Sequence, residues 1–316
     1  MVDARDLKSL EVKPHAGSIP APGIRRVLLI LNPASRRGAR MVKRTVAAFA
    51  DANVDCTVMT TSAPGHASAL AREHHALYDA IFTLGGDGTL MEVLGAVAHT
   101  GPAVGVLAGG TANVVARTLG IPLDPRRAVP LLLAGDESRI DLGVLGDGRR
   151  FVLALGVGLD ATMIHFAPAR LKRRLGLFAY VMSGYLAVLR LEKFDLRLTV
   201  DGQLFERRAS AVLIANFGAV LNDLIRFGDG IRRDDGLLNA CVFSPANFWD
   251  ATRIFWYMMT KKFPPDPCLF YKAGKEFRIE TSPEREAQAD GELLPRASYT
   301  VTVDPLAGRL LIPRSR

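Results

Sequence analysis

The 316 residues, 49% of them hydrophobic, are enough to bury two cores, which excludes a small stapled scaffold or an intrinsically disordered chain. Forty Lys and Arg against 32 Asp and Glu leave +8, with a pI near 9.6, a balance that suits nucleotide phosphates, acidic lipid head groups or nucleic acid, and equally a solvated basic surface. Cys56, Cys241 and Cys268 are far apart and odd in number, which argues against a disulfide framework or metal cluster and for a reducing, cytoplasmic compartment.

The first 22 residues carry charges and Pro14, Pro20 and Pro22 without an apolar stretch, and are expected to form a flexible tail rather than a signal peptide. From there to about residue 142, short apolar runs alternate with helical periodicity. Strands are predicted at 27–31, 54–60, 80–84 and 104–107, with helices at 39–50, 66–77, 90–98 and 112–119 between them. Such alternation with short connections predicts a parallel sheet covered on both faces. The pattern then changes. Strands at 151–157, 195–200, 209–215, 236–243, 277–281 and 298–303 follow one another mostly without helices, interrupted by helical insertions near 175–191 and 247–262. The expected fold is therefore an N-terminal Rossmann-like α/β nucleotide-binding domain, 23–142, followed by a mainly antiparallel β-sandwich domain, 143–316. The extreme C-terminal segment is allowed to pack back on the first domain. No run of about 18 uncharged apolar residues is present, so no membrane span is expected.

Three turns hold most of the chemistry: Asn32-Pro33-Ala34-Ser35-Arg36-Arg37-Gly38, Gly85-Gly86-Asp87-Gly88-Thr89 and Gly109-Gly110-Thr111-Ala112-Asn113. Each follows a predicted strand and precedes a predicted helix, which places all three at the carboxyl edge of the sheet, where ligands bind. Glycines let bare N–H groups approach a ligand, and a helix start favours negative charge. Asp87 would repel a phosphate unless a metal or a reacting hydroxyl lies between them, a combination that points to phosphoryl transfer. The Gly-x-x-x-x-Gly-Lys-Ser/Thr loop and the dinucleotide fingerprint are both absent.

The run from Thr83 to Glu92, followed by Pro102-Ala103-Val104-Gly105-Val106-Leu107-Ala108-Gly109-Gly110-Thr111-Ala112-Asn113, resembles the diacylglycerol kinase catalytic-domain family. Further matches, in family order, are Asn32-Pro33-x-Ser35, Thr60-Thr61 with Gly65-His66-Ala67, Ile140-Asp141-Leu142-Gly143, Gly156-Val157-Gly158-Leu159-Asp160, Asp234-Asp235-Gly236-Leu237 and Asp290-Gly291-Glu292. The resemblance implies an ATP- and Mg²⁺-dependent lipid kinase. ATP would be surrounded by Asn32, Pro33, Ala34, Ser35, Arg36, Thr61, Gly86, Asp87, Gly88, Thr89, Leu90, Met91, Glu92 and Thr111. Asp290 and Glu292 would face the glycine loop across a cleft, Glu292 as the base on the lipid hydroxyl by the usual assignment. Asp87 and Asp141 would belong to a water-linked network around Mg²⁺. A separate structural metal would take Asp235 and the carbonyls of Arg232 and Leu237. Residue by residue, Asp290-Gly291-Glu292 also reads as a plain β-turn, and Arg36 as either a phosphate contact or a solvated loop arginine. The sequence departs from many members at Arg36, at Met91 and at Val114, where a carboxylate is usual.

Arg170-Leu171-Lys172-Arg173-Arg174 precedes one apolar helical segment, and Phe248-Trp249 through Met259 leads into Lys261-Lys262. Each suits peripheral docking on an anionic membrane and equally suits a helix packed on the sheet. No nucleic-acid recognition module is visible, and a homodimer is compatible with the sequence. Competing readings are an NAD kinase, which shares the Gly-Gly-Asp-Gly-Thr loop but for whose Asn-Glu pair Asn222-Asp223 is a poor substitute, and a non-catalytic nucleotide- or lipid-binding homologue.

Overall fold

The structure is a computed structural model and describes residues 11–12, 23–35, 38–110, 113–158, 192–220, 225–290 and 292–314. Arg36, Thr111 and Gly291, and the segments 170–174 and 175–191 expected to be basic and helical, lie outside them. The chain divides into two compact units, 1–140 with 306–316, and 141–305; the divisions fall inside two strands.

The first unit follows the predicted alternation. In chain order it runs β1 (Glu11–Val12), β2 (Arg26–Leu31), α1 (Gly38–Asp51), β3 (Asp55–Thr60), α2 (His66–His74), β4 (Ala80–Gly85), α3 (Asp87–Ala96), β5 (Ala103–Ala108), α4 (Val114–Thr118) and α5 (Pro125–Leu133). Strands β3, β2, β4 and β5 lie parallel in that order. Every residue of β4 and β5 is buried, as expected for strands covered on both faces. Helix α1 buries Val42, Val46 and Phe49 at helical spacing, and Phe49 meets Phe82 of β4 edge-to-face with centroids 4.8 Å apart. Burying each of these rings contributes about 2–3 kcal/mol. Beyond β5 the sheet continues with the end of the chain, where Leu310 pairs in parallel with Val104.

Strand β6 (Asp136–Leu145) leads into the second unit. There follow β7 (Arg150–Phe151), β8 (Ala154–Val157), β9 (Phe194–Val200), β10 (Gln203–Ala209), β11 (Ala211–Ala215), β12 (Ala219–Val220), β13 (Ile225–Arg226), β14 (Leu238–Phe243), α6 (Phe248–Thr260), β15 (Leu269–Gly274), β16 (Glu276–Ser282), β17 (Ala287–Ala289), β18 (Glu292–Leu294) and β19 (Tyr299–Ile312). One antiparallel sheet has the order β15-β14-β11-β8-β17-β18. The other joins β19, β16, β9 and β10, again antiparallel. The second unit is thus an antiparallel β-sandwich, as the succession of short strands predicts. Strand β9 shows the pattern of one buried face, alternating buried and exposed positions from Phe194 to Leu198. The single strand expected at 151–157 breaks at Val152 and Leu153, because their N–H groups turn to the Asp290 carboxylate instead of a neighbouring strand.

Candidate active site

In the first unit, the chain leaves β2, β4 and β5 through the three turns singled out from the sequence. Their backbones are bonded to one another: Asn32 N–H donates to the Leu84 carbonyl at 3.1 Å, and the Gly109 and Gly110 N–H groups both donate to the Gly85 carbonyl at 2.9 Å. A Cβ on Gly110 would lie 2.7 Å from Gly86 Cα, and one on Gly109 would lie 2.9 Å from Gly85 N. Only glycine permits the two loops to approach this closely. Asn113 closes the second loop with positive φ, its amide bonded at 2.9 Å to both the N–H and the carbonyl of Gly110. Asn32 Nδ2 donates to Thr89 Oγ1 at 3.2 Å, while its Oδ1 accepts the Ala34 N–H and Ser35 Oγ accepts the Gly38 N–H at the start of α1. The structure therefore brings together Asn32–Ser35, Gly86–Thr89 and Gly110 at one end of the sheet. Thr61 continues the end of β3, its N–H bonded to the Leu31 carbonyl.

The acids of this end are spoken for. Asp87 is buried, and its two oxygens accept the N–H groups of Val114 and Val115 at 2.9 and 3.0 Å, which caps α4. Burial pushes its carboxyl above the ordinary range, while the α4 N–H donors and Arg117 pull the other way. Glu92 does the same for α2: its oxygens accept from Gly65 and Ala67 at 3.0 and 3.1 Å, and its carbonyl accepts from Ser68 Oγ. The side chain of Leu90 is wholly buried, so any nucleotide contact there is made by backbone; Met91 is half-buried. At the start of α3, Gly86 is in extended conformation, the Asp87 carboxyl takes its own backbone N–H, the Thr89 N–H donates to the Gly86 carbonyl at 3.2 Å, and no side chain from a neighbouring element caps the helix among the described residues. A helix start beside a glycine cradle favours an anion.

In the second unit, a buried polar group surrounds Val152. The Asp290 carboxylate, on a residue with positive φ, accepts N–H groups from Val152, Leu153 and Ala154 at 2.6, 2.8 and 2.9 Å. Asn216, fully buried, donates through Nδ2 to the Asp141 carbonyl at 2.6 Å and to the Val152 carbonyl at 2.8 Å. Sequence reasoning passed over Asn216; the polar residue ending the buried run of β11 was the available signal. Asp141 is wholly buried, donating its N–H to Arg233 and accepting the Gly236 N–H on Oδ2 at 2.8 Å. Asp141, in β6, is thus bonded to the loop that carries Arg232, Asp235 and Leu237. Asp235 is exposed, with Oδ1 on the Leu237 N–H, and Arg232 pairs with Asp234. Glu292 is exposed at the start of β18, opposite Ala289, and its charge helps hold the Arg149 guanidinium protonated, after the larger effect of Asp147.

As for metals, no cluster of three His, Cys, Asp or Glu occurs among the described residues. Position 114 offers a valine, and the Asp87 oxygens already hold two N–H donors. A carboxylate has about four lone-pair positions, so the remaining capacity fits a metal-bound water.

Residues 26–145 match the diacylglycerol kinase catalytic domain, and residues 154–312 match the YegS C-terminal NAD kinase beta sandwich-like domain. A diacylglycerol kinase of Staphylococcus saprophyticus is 26% identical over 279 residues, 85% of this chain and 89% of the relative. A diacylglycerol kinase of Staphylococcus aureus strain JH9 is 27% identical over 279 residues, 85% and 86% of the two chains. Among solved structures, a candidate diacylglycerol kinase from Bacillus anthracis str. Sterne superposes with a TM-score of 0.71 at 27% identity, covering 92% of this chain and 97% of that one. With both its units matched in order, this chain belongs to the diacylglycerol kinase catalytic-domain family and is a lipid kinase of that family.

Proposed function

We propose that the protein transfers the γ-phosphate of ATP to a hydroxyl of a membrane lipid such as diacylglycerol. The observation that carries this reading is the pair of abutting glycine turns after β4 and β5, which lie at the start of α3. Neighbouring helices at the same edge are capped by Ser35, Glu92 or Asp87 from other segments, whereas the start of α3 lies against the glycine turns, where its dipole favours phosphate oxygens. Asn32–Ser35, Gly86–Thr89 and Gly110, with Arg36 and Thr111 from the same turns, line the nucleotide. Asp87 acts mainly by fixing α4 against the glycine loop.

Glu292 takes the proton of the acceptor hydroxyl while the oxygen bonds to the γ-phosphorus and the bridging β–γ P–O bond breaks, releasing ADP. Its exposure suits this role, whereas the Asp290 carboxylate is committed to three N–H groups. Mg²⁺ arriving with ATP would neutralise phosphate charge, with Asp87 holding one of its waters. Asp235 with the Arg232 and Leu237 carbonyls is an all-oxygen donor set of the kind hard cations prefer, and we assign it the structural ion.

A second reading, phosphorylation of NAD, is favoured only by the NAD kinase-like description of the sandwich. Labelled ATP and Mg²⁺ incubated with diacylglycerol, a sphingoid base, phosphatidylglycerol and NAD decides between them. Label is expected on a lipid; label on NAD alone, or on no acceptor, overturns the proposal.

A further inference from the structure

Helix α6 is held on the sandwich by one face and leaves the opposite face bare. Ala251 and Ile254 are buried, Ile254 in a cluster with Leu213, Cys241 and Phe243 of the sheet beneath. Arg253 locks the helix further, bonded to Asp266 at 2.7 Å and to Asp250 at 3.0 Å. On the other side, Phe248, Trp249 and Trp256 are 52%, 74% and 65% exposed. Trp249, Thr252, Trp256 and Thr260 recur at helical spacing along one stripe.

The hydroxyls on that stripe are already satisfied. Thr252 Oγ1 donates to the Phe248 carbonyl at 2.9 Å and Thr260 Oγ1 to the Trp256 carbonyl at 2.8 Å, so withdrawing the stripe from water breaks neither bond. At the C-terminal end of the helix, Lys261 and Lys262 are exposed on a chain of net charge +8. Indole rings flanked by lysines match the boundary between acyl chains and anionic head groups.

We infer that the Trp249–Trp256 face of α6, with Lys261 and Lys262, is the surface by which this protein docks on an anionic lipid bilayer. The lipid-kinase reading supplies its motive, but docking is a binding event that can be measured without turnover. Trp249 and Trp256 are the only tryptophans in the chain, so its intrinsic fluorescence reports on this face alone.

The test adds vesicles of phosphatidylcholine with phosphatidylglycerol to the full chain without ATP. A blue shift, quenching by brominated acyl chains and co-sedimentation are expected, with little of each on pure phosphatidylcholine. Trp249→Ser with Trp256→Ser should weaken co-sedimentation at least about tenfold. Lys261→Gln with Lys262→Gln should weaken it about fivefold per lysine and flatten its salt dependence. Phosphorylation of a detergent-dispersed short-chain acceptor should be unchanged in both. Absence of a blue shift, or wild-type co-sedimentation of the tryptophan variant, overturns the assignment. So does a dimer in sedimentation velocity that the tryptophan substitutions abolish, since a second copy would then cover the face. Loss of turnover with docking intact would count against the kinase reading instead.

Discussion

At the residue scale, the acids picked from the motifs divide into those buried or half-buried on backbone N–H groups and two, Asp235 and Glu292, that are exposed. Asp87, Glu92 and Asp290 each collect two or three N–H groups, and Glu292 is exposed. This division makes a paired prediction. Asp290→Ala strands the N–H groups of Val152, Leu153 and Ala154 and should cost at least about 3 kcal/mol in chemical denaturation. Glu292→Gln removes the proposed base and should lower kcat about 10²–10⁴-fold with the denaturation midpoint unchanged. If Glu292→Gln is fully active, the base lies elsewhere. No sequence pattern distinguishes these roles: Asp290 and Glu292 are two residues apart in one turn, and only the return of the chain at Val152 commits the first of them.

At the element scale, the first unit was largely legible, because strands buried on both faces are continuous apolar runs and helices show their period plainly. The misses have physical causes. Helix α5 begins with Pro125 and carries Pro130 inside it, so its sequence reads as broken. Strand β10 is exposed along nearly its whole length and so lacks the alternation that betrays a strand; β17 and β18 are only three residues each. The glycine turns were legible as strand-to-helix turns at one edge of the sheet, but not their mutual packing, which pairs residues about twenty-five apart. That packing can be probed. Gly110→Ala places a methyl 2.7 Å from Gly86 Cα and must displace backbone. A shift of about 1 Å at a positioning loop costs about 10²-fold, and kcat/KM for ATP should fall by that order. A variant that keeps wild-type ATP kinetics would show that the loops need not abut.

At the scale of the whole molecule, the first unit is completed by residues far away in sequence. The Arg309 guanidinium bonds both oxygens of Glu137 at 2.6 and 2.8 Å and the Gly101 carbonyl at 2.9 Å, and the His99 N–H donates to Ala307. Arg309 holds the Glu137 carboxyl below its usual range. A carboxyl lowered in the folded state stabilises above its unfolded pKa and loses that contribution as pH falls through the folded value. Because the pair is partly exposed, its worth is about 1 kcal/mol or less at neutral pH. Glu137→Gln should therefore melt lower than wild type at neutral pH, with the gap closing as the solution is acidified. A gap independent of pH would show that the ion pair contributes nothing. The pairing of Leu310 with Val104 also bears on synthesis at the ribosome. β5 emerges with one edge open, and that edge stays open through translation of the whole sandwich, until residues 306–312 arrive. The first unit, although strands β2 to β5 are made before the sandwich, is closed after it.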